Sequence, residues 1–498
     1  MTRLDELNAA RFGQPVFAPF DDGSQTHAML AQQLKATLKS HGFDAIAIAA
    51  RLGVAQVQSL PPHLEHILDR CVLSHDELGI LIRLFVLNLP LTQYDVSKVF
   101  NSNLRTFLID IGALVVDGGK VQSVISLFCL DDYIFAADSF AYDAVWAGEV
   151  RAGDRVMYLG HDSLGLALTA PRFKRRNALD LCCGSGVQAI VARSYSEHVV
   201  GVDINPRALR FARFNAAMNA VDGICFVEGD LYDPVDGETF DAILANPPFV
   251  PAVVNDPALM FRDAGATGES VLTRILAGAE KHGTPDRVLS LVADFINLKN
   301  YAHKLVDWQL DQFRTFMFIE DESHLVDYAI RHTAYLPSIQ ERQDKAVRML
   351  QHFTASNIHT IHFGYLIQTG AEGNLTIHEL KGPIGNIIET DVRRVLEGDG
   401  VRFSETAKSS RPRLTPGVRI VVEIGRSHES EEEISIFAET PDSDFLPRLA
   451  LSSAVYQLLE KLREEQPLLC DIRDEEEQRL ITLLLDQRVL TLSSDYYR

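Results

Sequence analysis

Asn246, Pro247, Pro248 and Phe249 are consecutive residues whose types can do chemistry on a single nitrogen. The Asn246 amide oxygen and the Pro247 carbonyl both accept hydrogen bonds, and neither is a strong base. A planar nitrogen with two N–H bonds, such as an amide or aromatic amine, can donate to both while the Phe249 ring packs on its face. The tetrapeptide follows Phe240–Ala245, an apolar run that reads as a short buried strand. Proline lacks an N–H and holds φ at about −65°, so a central strand cannot continue through positions 247 and 248. The chain therefore leaves the sheet here in a rigid loop. An ordinary strand-end turn would look the same, so the upstream residues must decide between the two.

Strand-like runs recur at Ala178–Cys182, His198–Val202, Ile224–Val227, Phe240–Ala245, Val288–Ala293, Thr315–Ile319 and Ile358–Ile367. Helical patterns fill the gaps, most clearly 206–220, where Asn205 can cap, Pro206 suits the first turn and Leu209, Ala212 and Ala216 share a face. This alternation predicts an α/β fold with a parallel, doubly wound sheet of seven strands. After the first strand, Gly184-Ser185-Gly186 forms a turn whose backbone can approach a ligand closely at a helix start. Gly184-x-Gly186-x-x-Ala189 also fits a dinucleotide fingerprint. Asp203 ends the second strand, where an acid can take a ribose diol. Asp230 follows the third strand and can accept from an adenine amine, and Asn246 follows the fourth. Polar groups at successive strand ends converge on the crevice where such sheets bind ligands.

With these motifs in this order, about 200 residues resemble a class I S-adenosylmethionine-dependent methyltransferase of the Asn-Pro-Pro-aromatic branch. The resemblance implies a Rossmann-like methyltransferase sheet and S-adenosylmethionine as cofactor. Asp180 and the Gly184–Gly186 loop would hold its methionine part, Asp203 the ribose hydroxyls, and Asp230 with Leu231 the adenine. Cys182, Ile204 and Asn246 complete the implied cofactor-binding set. Asn246 and the Pro247 carbonyl would accept from the target –NH2 and Phe249 would pack against it, with Pro248 and Arg262 as further substrate contacts. A nicotinamide cofactor explains neither Asp180 nor Asn246. The branch includes release-factor glutamine methyltransferases and rRNA or DNA methyltransferases acting on guanine or adenine amines. The stretch 261–269, Phe-Arg-Asp-Ala-Gly-Ala-Thr-Gly-Glu, resembles the post-motif loop of the glutamine enzymes, and its glycines suit a loop that closes on substrate.

The 498 residues divide into a helical, winged-helix-like N-terminal domain (1–145), the methyltransferase domain (146–370) and an α+β C-terminal domain (371–498). The run Glu431-Glu432-Glu433 reads as a solvated turn, and 321–357 as an insertion that is either a substrate lid or packing for a flanking domain. Net charge is −21, from 47 basic and 68 acidic residues, which disfavours a large nucleic-acid footprint. The basic run Arg172–Arg176 marks either a rim for RNA or acidic groups or a solvated edge. Six cysteines without a paired framework, no signal-like N-terminus and no apolar stretch long enough to span a bilayer point to the cytoplasm. No residues form a metal site, since His359 and His362 fall on opposite faces of their strand. The expected activity is N-methylation of an amide or amine nitrogen on a protein, peptide or small molecule. Methylation of an rRNA or tRNA base and tailoring of a specialised metabolite are the alternatives, and a ligand sensor built on a methyltransferase core is a third.

Overall fold

The computed structural model describes residues 16–20, 23–53, 75–138, 155–253, 262–333, 336 and 338–379. In the C-terminal part it describes 392, 396, 411–414, 419–426, 432–439, 449–451, 453–465, 477, 481 and 490–493. Two compact units emerge, one of residues 1–167 with 172–378 and one of 168–171 with 379–498.

The first unit opens with α1 (Gln25–Ser40), α2 (Ala45–Leu52), α3 (Glu77–Phe85), β1 (Leu91–Thr92), α4 (Gln93–Val99) and α5 (Ser102–Asp110). The strands β2 (Leu114–Asp117), β3 (Lys120–Ser123), β4 (Ile125–Leu130) and β5 (Tyr133–Asp138) follow. Each of these helices starts on a polar cap whose side chain accepts a backbone N–H: Ser24, Asp44, Asp76, Thr92 and Asn101. From α3 to β3 the order is helix, strand, two helices and a hairpin, with a three-stranded sheet ordered β1-β3-β2. That is the order of a winged helix.

The large sheet contains β6 (Arg175–Leu181), β7 (Ser196–Asp203), β8 (Ile224–Glu228), β9 (Phe240–Ala245), β10 (Gly283–Ile296), β11 (Phe313–Ser323), β12 (Ile361–Glu372) and β13 (Leu375–Glu379). Its order is β13-β11-β12-β10-β9-β6-β7-β8, so all seven expected strands are present and β13 adds an eighth at the edge. The pairs β8-β7, β7-β6, β6-β9 and β9-β10 are parallel. In contrast to the expected parallel sheet, β12 runs antiparallel to both β10 and β11. A helical connection favours a parallel partner without requiring one, and β12 slots between two earlier strands after reversing. Helices α6 (His161–Thr169), α7 (Val187–Ala192), α8 (Pro206–Met218), α9 (Ser270–His282) and α10 (Tyr301–Asp307) intervene along the chain. The 321–357 insertion carries α11 (Leu325–Arg331) and α12 (Ile339–Ala355).

Helix α8 also belongs to the N-terminal core. Its Phe211, Phe214 and Met218 pack with Phe17, Leu34 and Leu108, and the Phe17 and Phe214 rings stack at 4.0 Å. Buried Arg207 forms an ion pair with buried Asp138 of β5.

In the second unit, β15 (Arg419–Arg426), β16 (Glu432–Glu439) and β17 (Leu449–Leu451) form an antiparallel sheet. There β14 (Arg411–Leu414) pairs with β18 (Leu490–Ser493), and α13 spans Ser453–Glu465. Glu432 and Glu433 lie in a strand opposite Arg426 and Gly425, not in a turn. Pairing across the hairpin overrides the low strand propensity of glutamate. The stretch Glu475–Leu485, whose sequence pattern reads as a helix, falls almost entirely outside the described residues.

Candidate active site

Strand register brings the motif residues to one sheet edge. Leu181 lies opposite both Ala245 and Val202, so β6, β7 and β9 end nearly level with one another, while β10, whose Leu291 lies opposite Ala245, runs on to Ile296. The crevice opens where β6 is flanked by β7 on one side and β9 on the other, the topological switch point of such sheets.

Three anchors shape the glycine loop. The Gly184 N–H donates to Asp203 Oδ2 at 2.7 Å, the Ser185 carbonyl accepts from Asn215 Nδ2 at 2.8 Å, and the Gly186 N–H donates to the Cys183 carbonyl at 2.7 Å. Both glycines have positive φ, at 52° and 80°. A Cβ on Gly184 would meet nothing within 4 Å among the described residues. One on Gly186 would come within 2.9 Å of Ala212 of α8. Cys182 and Leu231 also hold positive φ, at 55° and 51°, a conformation costly for residues with a Cβ. Such outliers cluster at ligand sites.

Asp180 is fully buried; its Oδ2 accepts from the Ala189 N–H at 2.8 Å, and its Oδ1 has no hydrogen-bond partner among the described residues. Burial pushes its pKa well above the carboxylate range, with the Ala189 bond opposing. It buttresses the start of α7 from beneath the loop. Asp203 also accepts from the Asn205 N–H, at 2.8 Å through Oδ1. A carboxylate has about four lone-pair sites, so acceptor capacity remains on both oxygens. Desolvation raises its pKa, and its two backbone bonds hold it down. Ile204 beside it is exposed. Asp230 pairs with Arg274 of α9 at 2.8 Å, both partly exposed. Burial raises the Cys182 and Cys183 thiols well above the usual range, which keeps them protonated.

On the other side of the crevice, the Asn246 Nδ2 donates to Asp162 Oδ2 and to Ser163 Oγ, each at 3.0 Å. Both partners lie in the first turn of α6, 84 and 83 residues upstream. An ionised carboxylate accepts only, so the amide edge facing Asp162 is the –NH2 and the Oδ1 faces away from it. Burial raises the Asp162 pKa, opposed first by the Asn246 hydrogen bond. Reading strand ends alone missed Asp162; the signal was His161-Asp162-Ser163 opening the apolar run Leu164, Leu166 and Ala167, with the acid in a helix's first turn.

Further groups lie near Asp162 and Phe249. His161 Nε2 lies 2.5 Å from the buried Glu320 Oε1, and this contact raises the imidazole pKa against desolvation. The Phe363 ring lies 6.4 Å from Phe249 and 5.9 Å from His161. Buried Asp294 of β10 accepts from the Tyr328 hydroxyl at 2.6 Å, and desolvation raises its pKa to about 7.

Pro247 is buried, and Pro248 and Phe249 are half-buried. The post-motif loop is strapped to the residues that follow them. The Val250 N–H donates to the Arg262 carbonyl at 2.8 Å, the Ala264 N–H to Val250 at 3.0 Å, and the Ala252 N–H to Gly265 at 2.8 Å. Arg262, expected as a substrate contact, is engaged by the protein itself: it pairs with Asp263 at 2.9 Å and donates to the His332 carbonyl at 2.9 Å. Phe261 lies outside the described residues. The insertion packs here, with Tyr328, Met349 and Phe353 around Val250 and Phe249. Arg175, from the basic run, pairs with Asp286 at 3.8 Å.

Residues 161–315 match the family described as the methyltransferase small domain. A protein of Methanocaldococcus jannaschii, named as a candidate protein N5-glutamine methyltransferase, is 38% identical over 120 residues, 23% of this chain and 60% of that one. A ribosomal protein uL3 glutamine methyltransferase of Bradyrhizobium diazoefficiens is 38% identical over 120 residues, 22% of this chain and 37% of that one. This chain thus spans less than two thirds of the length of these relatives. Among solved structures, a Thermus thermophilus 16S rRNA N2 G1207 methyltransferase in complex with AdoMet and guanosine is similar at 19% identity. That similarity covers 43% of this chain and 59% of that one, with a TM-score of 0.26. Among the described residues no helix is long and apolar enough to cross a membrane.

Proposed function

We propose that this chain, whose residues 161–315 match the methyltransferase small domain, is a class I S-adenosylmethionine-dependent methyltransferase of the Asn-Pro-Pro-aromatic branch that methylates the side-chain amide nitrogen of a protein or peptide acceptor. The observation that carries this reading is the Asn246 amide, whose –NH2 is occupied by Asp162 and Ser163 so that its oxygen is left for an acceptor. The names of the relatives point to glutamine as the acceptor residue.

The residues around the crevice fit S-adenosylmethionine. Among the described residues a Cβ on Gly184 would meet nothing within 4 Å and the buried Asp180 Oδ1 has no partner, while Asp203 keeps acceptor capacity for a diol and Ile204 offers an exposed apolar face. Asp203, Ile204, Asp230 and Leu231 would hold the nucleoside, and Asp180, Cys182 and the glycine loop the methionine end. When bound, this group supplies an electrophilic methyl on a sulfonium, so the acceptor nitrogen needs alignment more than deprotonation.

The protein's own part is to supply that alignment. Asn246 Oδ1 and the Pro247 carbonyl accept the two N–H bonds of the acceptor, which fixes its plane and aims the nitrogen lone pair. As positive charge develops on the nitrogen, both acceptors strengthen, so they favour the transition state over the ground state. Phe249 packs on the acceptor face, and the insertion walls the acceptor side. In this reading 146–370 is the catalytic domain, flanked by domains 1–145 and 371–498, and the enzyme works in the reducing cytoplasm.

Incubation with methyl-labelled cofactor and cell lysate, followed by protease or RNase, tests the proposal. Label released by protease and retained after RNase is expected, with transfer by Asn246→Ala slowed by about 10²–10³. Label lost to RNase and kept under protease would overturn the protein acceptor in favour of RNA.

A further inference from the structure

The β4–β5 hairpin lies along α8, and two asparagines one helical turn apart cap the edge of β5. Asn215 Oδ1 accepts from the Ala136 N–H at 2.7 Å, and its Nδ2 donates to the Ala136 carbonyl at 3.0 Å. Asn219 repeats the pattern with Ile134, accepting at 3.0 Å and donating at 2.7 Å. Such side chains satisfy an edge strand that would otherwise present unpaired backbone groups.

The two residues differ in one respect. The Asn215 Nδ2 also donates to the Ser185 carbonyl at 2.8 Å, in the middle of the glycine loop, whereas the Asn219 Nδ2 donates to the Asn215 carbonyl of its own helix at 2.9 Å. Three residues before Asn215, on the same helix face, Ala212 sits against Gly186. Asn215 is completely buried. Its one amide therefore touches both the hairpin that follows the winged-helix elements and the loop proposed to receive the cofactor.

We infer that Asn215 is a positioning residue that couples the N-terminal hairpin to the glycine loop, so that cofactor affinity and hairpin order depend on one another. The inference rests on the reading that S-adenosylmethionine occupies that loop. Coupling of this kind is reciprocal: whatever orders the hairpin tightens the cofactor, and the cofactor in turn orders the hairpin.

Asn219 supplies a matched control. Asn215→Ala and Asn219→Ala in the full chain should lower the unfolding temperature by similar amounts, because each strips two bonds from the same strand. Cofactor Kd, measured by titration calorimetry, should rise roughly five- to tenfold for Asn215→Ala, the size of one neutral hydrogen bond, and stay within about twofold for Asn219→Ala. Equal weakening by both, or no weakening by Asn215→Ala, overturns the inference. Hydrogen exchange on the unaltered chain tests it without a variant. Saturating S-adenosylmethionine should slow exchange in peptides covering 133–138, and unchanged exchange there overturns it. Failure of the unaltered chain to bind the cofactor would instead overturn the underlying reading of the site.

Discussion

Asp162 Oδ2 stands 3.0 Å from Asn246 Nδ2, so a carboxylate at the start of α6 sets which edge of the Asn246 amide meets the acceptor. Without it the amide can turn over and present donors to a nitrogen that also donates. A hydrogen bond to a charged group contributes about 1.5–3 kcal/mol, so Asp162→Asn should lower kcat roughly 10- to 100-fold. Asn246→Ala, which removes the acceptor itself, should lower it by about 10²–10³. Single-turnover methylation rates at saturating cofactor check both. A kcat for Asp162→Asn equal to that of the unaltered chain would show that the amide needs no orientation.

Asp203 serves the site twice, as the acceptor of the Gly184 N–H and as the proposed partner of the ribose diol. Asp203→Ala should therefore weaken cofactor binding by about tenfold or more. Calorimetry with the nucleoside fragment alone should show most of that loss. If the fragment bound unchanged, the diol assignment would be wrong.

Gly268 is the tight point between the post-motif loop and the tetrapeptide. It holds φ at 80°, and a Cβ there would collide with the Phe249 carbonyl. Gly268→Ala should cost at least about 1–2 kcal/mol for the left-handed conformation alone. It should also raise KM for the acceptor, because relief of the clash moves the loop that carries Pro247 and Phe249. Denaturant unfolding and acceptor titration read the two effects, and a fully stable variant would contradict the packing.

Asp294 makes stability depend on pH. Its folded pKa is about 7, raised by desolvation from an ordinary carboxylate value. Between those values the folded state keeps a proton that the unfolded state has lost, so stability falls as pH rises from about 4 to 7, by at most about 1.4 kcal/mol per pH unit. Asp294→Asn should flatten that part of the profile and gain on the parent at pH 8 relative to pH 4. A parallel profile for the two proteins would show that Asp294 is not the group responsible.

Much of the sheet was legible because burial on both faces turns its strands into short apolar runs, and because polar residues at strand ends stand out against them. Asp203 and Asn246 were readable for that reason. Asp180 was readable as an important acid, though its visible work is to hold the Ala189 N–H from below the loop. Arg262 was visible as a charge near the site, but its partners Asp263 and His332 depend on how the loop and the insertion pack.

The sequence by itself determined the alternation of strands and helices, the two prolines that end β9, and the glycine turn between β6 and α7. These follow from local backbone chemistry: side-chain period, fixed φ, and the freedom of glycine. Only the tertiary structure decided that β12 runs antiparallel, that Asp162 meets Asn246 from 84 residues away, and that Asn215 reaches both Ala136 and Ser185. Those contacts join residues distant along the chain, and packing of α6 and α8 against the sheet sets them. A local pattern tells which groups need partners, whereas the folded core chooses them.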